Sequence, residues 1–361
     1  MVVSKLLSNI RSSIVNKPYS HLFFHGERAN WVLNWEMTEI CNITRELGIM
    51  ASVSSPFGIF RQSIFYNSKY IFLHPRRHLF NLNNVALPYF HGYPTSEDQI
   101  AIKCFKELEK NHTLISRIQV SHSKMHDFIL ETGIDASKVF RIPIAVNSDF
   151  FSVQTRQSKI ESRQRFGIPQ QAVVIGSFQK DGNGWGQGLE PKRIKGPDVF
   201  LETIKRLKYL IPELYILLSG PARGYVIKGL EQMNVPYKHI FFEHYPDIGK
   251  LFQCLDLYII ASREEGGPKA VLESMVSGVP LVTTKVGQAM DLVEHGKNGF
   301  MTEIEDAEGL AYWSNKILSE SALKESVVKQ GLDTANNNTY NAHKFLWKEF
   351  FDGFVSSKRI E

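Results

Sequence analysis

Short, nearly continuous apolar runs alternate with longer amphipathic stretches along the whole chain, which predicts strands alternating with helices. The runs are clearest in the second half: 172–176 (AVVIG), 214–218 (LYILL), 255–261 (LDLYIIA) and 279–283 (VPLVT), with shorter ones at 239–242 and 300–302. Between them, the 3.6-residue period predicts helices over 199–210, 225–233, 248–254, 268–277, 288–294 and 306–318. In the first half, strands are expected at 21–24 (HLFF), 50–53, 63–66, 70–73, 85–90 (VALPYF), 118–120 and 139–142. Helices are expected there at 32–47, 96–111 and 124–131, and an aromatic-rich one at 341–355. Strands apolar on both faces belong in parallel sheets covered by helices. The segment 152–164 is polar, has no apolar period, and reads as a linker. The expectation is an α/β protein of two Rossmann-like doubly wound domains facing across a cleft. Ligands would bind at the carboxyl ends of the strands.

Size agrees with two domains: 361 residues exceed one ordinary α/β domain. A hydrophobic content of 43% with 22% charged residues excludes global disorder. The net charge of +5 suits an anionic small ligand or an acidic membrane surface. It is too weak to argue for nucleic acid, and no zinc finger, basic-region heptad or aromatic RNA-binding signature occurs. Cys41, Cys104 and Cys254 are dispersed and odd in number, with neither metal spacing nor a disulfide framework. A reducing, cytoplasmic setting is therefore expected. Residues 1–20 are interrupted by Lys5, Arg11 and Lys17, so they read as neither a signal peptide nor a membrane span. A basic amphipathic helix there would suit peripheral contact with the inner face of the cytoplasmic membrane. A packed terminal helix fits the same residues equally.

The chemistry concentrates in residues 262–284. A strand ends near Ser262, a polar loop follows through Glu265, Gly266 and Gly267, and Pro268 suits the first turn of a helix. The free N–H groups at such a helix start attract phosphate, and glycine lets a ligand approach the backbone. Glu265 precedes the helix and Glu273 lies within it, roughly 7–8 Å further along the axis from Pro268. An extended nucleotide diphosphate sugar could use one carboxylate for sugar hydroxyls and the other for ribose hydroxyls. Taken singly, Lys269 and Glu273 are also spaced as an i,i+4 surface ion pair.

The order of these features resembles the large retaining nucleotide-sugar glycosyltransferase family usually numbered four, the group 1 glycosyltransferases. Glu273-Ser274-Met275-Val276-Ser277-Gly278-Val279-Pro280-Leu281-Val282 matches the family's Glu-Ala-Met-Ala-x-Gly-x-Pro-Val element. Glu265-Gly266-Gly267-Pro268 stands for its Glu-Gly-aromatic-Gly element, with Gly267 where the aromatic is usual. Gly287, Asp291-Leu292-Val293 and Gly296-x-Asn298-Gly299-Phe300 continue the likeness. Upstream, Lys195-Gly196-Pro197-Asp198 resembles the Lys-Gly element that contacts the diphosphate, and Lys180 stands for the basic residue usually paired with it. An unusual insertion, 181–188, follows Lys180 and reads equally as a flexible loop or a lid carrying Trp185. Gly220-Pro221-Ala222-Arg223-Gly224 resembles the family's Gly-rich turn, with Arg223 a candidate for the diphosphate. Val120-Ser121 and 142–151 match further segments, and His91, closing the strand 85–90, aligns with a histidine that faces the donor sugar.

The resemblance implies the two-domain GT-B fold. It divides the chain into an acceptor-side domain, 1–151 with a helix at about 341–361 crossing back to it, and a donor-binding domain, 152–340. It implies retaining, metal-independent transfer of the hexosyltransferase type from a nucleotide-sugar donor to a glycan or glycolipid acceptor. The setting would be surface polysaccharide or lipopolysaccharide assembly. His91, Glu265 and Lys195 would be catalytic. Lys180, Arg223, Gly266, Gly267, Pro268, Lys269, Ala270 and Glu273 would hold the donor. No cofactor or metal is expected, there being no Asp-x-Asp motif or His/carboxylate cluster. Two other readings stay open: a nucleotide-sugar epimerase of similar form, and a non-catalytic nucleotide-sugar-binding protein.

Overall fold

The computed structural model describes residues 21–26, 32–54, 62–74 and 80–355. The expected amphipathic helix at 1–20 lies outside the described residues. The chain forms two compact units, Met1–Pro143 with Tyr340–Glu361, and Ile144–Thr339.

Unit 1 begins with β1 (His21–His25), α1 (Val32–Glu46), β2 (Met50–Val53), β3 (Ser63–Tyr66) and β4 (Asn84–Pro88). It continues with α2 (Gln99–Asn111), β5 (Arg117–Val120), α3 (Ser123–Glu131) and β6 (Val139–Arg141). All pairings are parallel, in the order β2-β1-β3-β4-β5-β6. Strands β1, β3, β4 and β5 are buried along most of their length, as their apolar runs require, while the edge strands β2 and β6 are not. Residues 70–73, expected as a strand, belong to a 3-10 turn, Lys69–Leu73, capped by the Ser68 side chain. A four-residue apolar run is too short for its period to separate the two.

Unit 2 contains α4 (Arg156–Phe166), β7 (Val173–Phe178), α5 (Pro197–Leu210), β8 (Leu214–Ser219), α6 (Gly224–Gln232) and β9 (Tyr237–His239). Then come α7 (Gly249–Phe252), β10 (Leu257–Ile260), α8 (Ala270–Val276), β11 (Leu281–Thr284), α9 (Ala289–Leu292), β12 (Phe300–Thr302), α10 (Ala307–Ser319) and α11 (Ser321–Asn336). The parallel sheet has the order β12-β11-β10-β7-β8-β9. One apolar layer lies on each side of it, the first around Leu255, Tyr258 and Leu272, the second around Phe200, Ile216 and Leu310.

The segment expected as a linker is largely helix α4. A reciprocal Thr155–Ser158 capping box starts it and left-handed Gly167 ends it. It docks through charge rather than through an apolar stripe. Arg163, 3% exposed, donates to the carbonyls of Cys254, Gln170 and Ala172 and to Asp256 Oδ2, at 2.6–3.0 Å. Lys159 pairs with the other Asp256 oxygen. Helix α11 is a further element that the apolar pattern did not single out.

The last helix, α12 (Lys344–Phe351), belongs to unit 1. Trp347, Phe350 and Phe351 set their ring centroids 6.0–6.4 Å from Phe65 of β3. Such edge-on aromatic contacts contribute about 0.5–1.5 kcal/mol each beyond burial.

Candidate active site

In unit 2 the chain runs from β7 outward through β8 to β9, then returns to the other side of β7 with β10. The strand order therefore reverses between β7 and β10, the position at which open α/β sheets bind ligands outside the carboxyl ends of their strands. The residues that follow these two strands line that position.

After β7 the chain makes a 3-10 turn, Arg193–Lys195, and Gly196 opens α5 in the left-handed conformation at φ +60°. A Cβ on Gly196 would lie 1.8 Å from the Ala261 carbonyl oxygen, so only glycine lets this turn close on the end of β10. The amides of Arg263 and Glu264 both donate to the Ile194 carbonyl, at 2.8 and 3.0 Å. Gln179 Nε2 donates to the Lys195 carbonyl at 3.1 Å. Arg263 clamps the same junction with a two-pronged bond to Asp198 at 2.7–2.8 Å and a bond to Glu305 at 2.5 Å. The Arg263 hydrogen bond, partly opposed by burial, holds the Asp198 carboxyl below its usual range.

This framework brings Lys195 to Glu265. Lys195 Nζ is 2.6 Å from both carboxylate oxygens, and Ser262 Oγ donates to Oε1 at 2.9 Å. The side chains are 22% and 10% exposed. Thr284, at the end of β11, donates to the Ser262 carbonyl at 2.6 Å and ties the third strand end to the others.

Glu273 is 3% exposed and accepts a hydrogen bond from the Tyr245 hydroxyl. Lys269 Nζ lies 5.9 Å from the Tyr245 ring centre and donates to the Ala145 carbonyl at 3.1 Å. Helix α8 starts at Ala270 rather than at Pro268, whose carbonyl accepts from the Val271 amide at 3.0 Å. Gly266 is held through its carbonyl by the Gln288 amide at 3.0 Å. At Gly267 a Cβ would stand 2.7 Å from both Gln288 Oε1 and Ile144 Cδ1. The buried Gln288 carboxamide spans Ile144, accepting from its amide at 2.8 Å and donating to its carbonyl at 3.1 Å. A side chain at 267, such as the aromatic usual in the resembled motif, would displace the Gln288 carboxamide or the Ile144 tip.

Lys180 and Arg223, both expected at the diphosphate, part ways. Lys180 Nζ sits 4.4 Å from the ring centre of Trp185, a side chain that is 64% exposed, and burial lowers the lysine pKa. The Arg223 guanidinium is 1% exposed and turns inward. It pairs with Asp181 at 3.0 Å and donates to the Ser177 and Ser219 carbonyls and to Ser177 Oγ. Its two terminal nitrogens are thus engaged inside unit 2. Burial raises the Asp181 pKa against the pull of Arg223. The insertion 181–188 is hydrogen-bonded in place: the Gln187 and Gly188 carbonyls accept from Gly224 and Tyr225, the first amides of α6, at 2.8 and 2.9 Å.

In unit 1, His91 follows β4 and is partly exposed. The ammonium of buried Lys69 lies 3.2 Å from His91 Nδ1 and also donates to the His91 carbonyl. Arg76, Arg77 and His78, a short basic run in the sequence, lie outside the described residues. Among the described residues, no group of three or more His, Cys, Asp or Glu side chains is placed to hold a metal ion. None of their helices is long and apolar enough to cross a membrane.

Sequence reasoning missed Tyr245, Ser262, Gln288, Lys69 and the partnership of Asp181. Ser262 had a signal in its place three residues before Glu265 at a strand end. Tyr245 and Gln288 had none, since they meet their partners 28 and 144 residues away in sequence.

Residues 189–334, within unit 2, match the family described as glycosyl transferases group 1. The chain is 24% identical over 178 residues to the N-acetyl-alpha-D-glucosaminyl L-malate synthase of Bacillus anthracis, covering 48% of this chain and 44% of that protein. It is 26% identical over 140 residues to the lipopolysaccharide core biosynthesis glycosyltransferase LpsE of Rhizobium meliloti, covering 39% and 41%. The chain thus spans less than half the length of these two relatives. Its fold is that of the Anabaena protein HepE, solved in complex with UDP-glucose, at a TM-score of 0.73 and 15% identity over 92% of this chain and 99% of that one.

Proposed function

We propose that this chain is a retaining glycosyltransferase that moves a sugar from a nucleotide-diphosphate donor to a glycan or lipid-linked acceptor in surface polysaccharide or lipopolysaccharide assembly. The observation that carries the reading is the Lys195–Glu265 pair at the reversal point of the unit 2 sheet. An ammonium suits the diphosphate leaving group, and a carboxylate suits sugar hydroxyls. Glu273, held by Tyr245, is assigned to ribose hydroxyls. His91 of unit 1 is assigned to the transferred sugar.

In the proposed step the bond between the anomeric carbon and the β-phosphate oxygen breaks. The acceptor hydroxyl oxygen bonds to that carbon on the same face, and its proton passes to the departing phosphate. Lys195, with Lys180, stabilises the charge that gathers on the diphosphate, in a reaction that needs no metal. Shielding of Glu265 and Glu273 from water strengthens each of these contacts. The group 1 match and the lipopolysaccharide relative support this reading.

A thermal-shift and turnover panel of UDP-, GDP- and ADP-sugars, with and without EDTA and with glycolipid acceptors, tests it. Stabilisation by one nucleotide sugar and acceptor-dependent release of its nucleoside diphosphate are expected. Failure of every nucleotide sugar to stabilise the fold would sink the reading. Interconversion of the donor without an acceptor would make the protein an isomerase, and loss of activity in EDTA would overturn metal independence.

A further inference from the structure

We propose that Lys69 is the positioning residue for His91. Its ammonium fixes the imidazole as the neutral tautomer protonated at Nε2, so that His91 enters the reaction as a hydrogen-bond donor and not as an imidazolium. The inference rests on the assignment of His91 to the transferred sugar.

An ammonium carries three N–H donors and no acceptor. His91 Nδ1, 3.2 Å from Lys69 Nζ, is therefore the acceptor. A nitrogen that accepts bears no proton, and a neutral imidazole then carries its single proton on Nε2. Protonating the ring would set two cations 3.2 Å apart, which burial makes more costly.

Lys69 has little freedom to withdraw. It is 5% exposed, at the start of the 3-10 turn that follows β3. Its Nζ lies 5.3 Å from the ring centre of Tyr89 and 5.9 Å from that of Tyr70, and it donates as well to the His91 carbonyl. The Tyr89 hydroxyl in turn donates to the Gly92 carbonyl at 2.9 Å, so turn and lysine are built as one unit. Helix α2 packs against the Lys69 turn and brings other charges. Asp98, Lys103 and Glu107 act with Lys69 on the Cys104 thiol, which burial pushes up to about 11. Asp98 is engaged in capping the amides of Ile100 and Ala101. The cation bonded to the imidazole itself is Lys69.

The arrangement suits the proposed reaction. Positive charge develops on the sugar during transfer, and an imidazolium beside it would oppose that charge. A neutral Nε2–H can hold a sugar hydroxyl without doing so.

Long-range nitrogen–proton NMR of ¹⁵N-histidine-labelled full-length protein, with His91 assigned by His91→Gln, tests the proposal directly. The expected spectrum shows an unprotonated Nδ1 and a protonated Nε2. Lys69→Met should move His91 into mixed tautomers, and Lys69→Arg should restore the wild-type pattern. Lys69→Met should also lower kcat about 10-fold or more, with KM changed far less. A wild-type His91 that carries its proton on Nδ1, or on both nitrogens, would overturn the proposal. The wild-type spectrum decides this even if Lys69→Met does not fold. Lack of transferase activity would defeat the function reading while leaving the tautomer result intact.

Discussion

Lys195 Nζ lies 2.6 Å from both carboxylate oxygens of Glu265, seventy residues away in sequence, and each charge is the other's counter-ion. A diphosphate that reaches Lys195 competes with Glu265 for the same ammonium. Glu265→Gln should therefore strengthen binding of the nucleoside diphosphate whose sugar stabilises the protein, by about fivefold for a partly exposed pair. The same change should lower transfer, since the amide cannot accept sugar hydroxyls through two equivalent oxygens. Calorimetry with that nucleoside diphosphate and a transfer assay check both halves. Unchanged or weaker binding of it would mean that Glu265 does not restrain Lys195.

The Tyr245 hydroxyl donates to buried Glu273 and sets the direction of its carboxylate. Tyr245→Phe removes a bond to a charged group, a loss of about 1.5–3 kcal/mol. Nucleotide affinity should fall about 10-fold or more, and the preference for a ribose over a 2′-deoxyribose nucleotide should shrink. Equal affinity of wild type and variant for both nucleotides would refute the ribose assignment.

Arg223 and Asp181 form an ion pair in which both side chains are at most 1% exposed. Arg223→Ala leaves a buried carboxylate without its partner and should cost about 3–5 kcal/mol in urea unfolding. The double change Asp181→Leu with Arg223→Met should cost less than Arg223→Ala alone, because no charge is stranded. A variant Arg223→Lys that keeps its stability yet loses nucleotide binding would return Arg223 to the donor site.

The Asp198 carboxyl is held below its ordinary 3.8 by its hydrogen bond to Arg263, against the opposing effect of burial. Between the folded value and 3.8 the unfolded chain binds more protons, so stability rises with pH in that window. The contribution is complete above the ordinary value and is lost as pH falls through the folded one. Asp198 is one-third exposed, so the effect is about 1 kcal/mol. Thermal unfolding of wild type and Asp198→Asn across this range should show the smaller acid dependence in the variant. Parallel curves would exclude the Asp198–Arg263 bond as the source.

Most elements were legible because their apolar runs obey strand or helix periods. The run at 214–218 became β8, and 300–302 became β12 with its expected bounds. Helix α4 was not legible, since Arg163 and Lys159 hold it through Asp256 and carbonyl groups, and such contacts leave no apolar period. Local spacing pointed to Glu265, Glu273 and Lys195 as functional types. It was silent on Tyr245 and Gln288, whose partners lie far away in sequence.

The amino-acid sequence by itself determined the alternation of strands and helices, the division of labour between apolar and polar positions, and the stretch where the chemistry gathers. Those features are local, because periodicity and capping act over a few residues. The tertiary structure decided which charges face each other. It joined Lys195 to Glu265 across a strand-order reversal and turned Arg223 inward to Asp181. It also set Lys69 behind His91. Charge pairing depends on separations of about 3 Å. Only the crossover connections of the two sheets bring residues so distant in the chain that close.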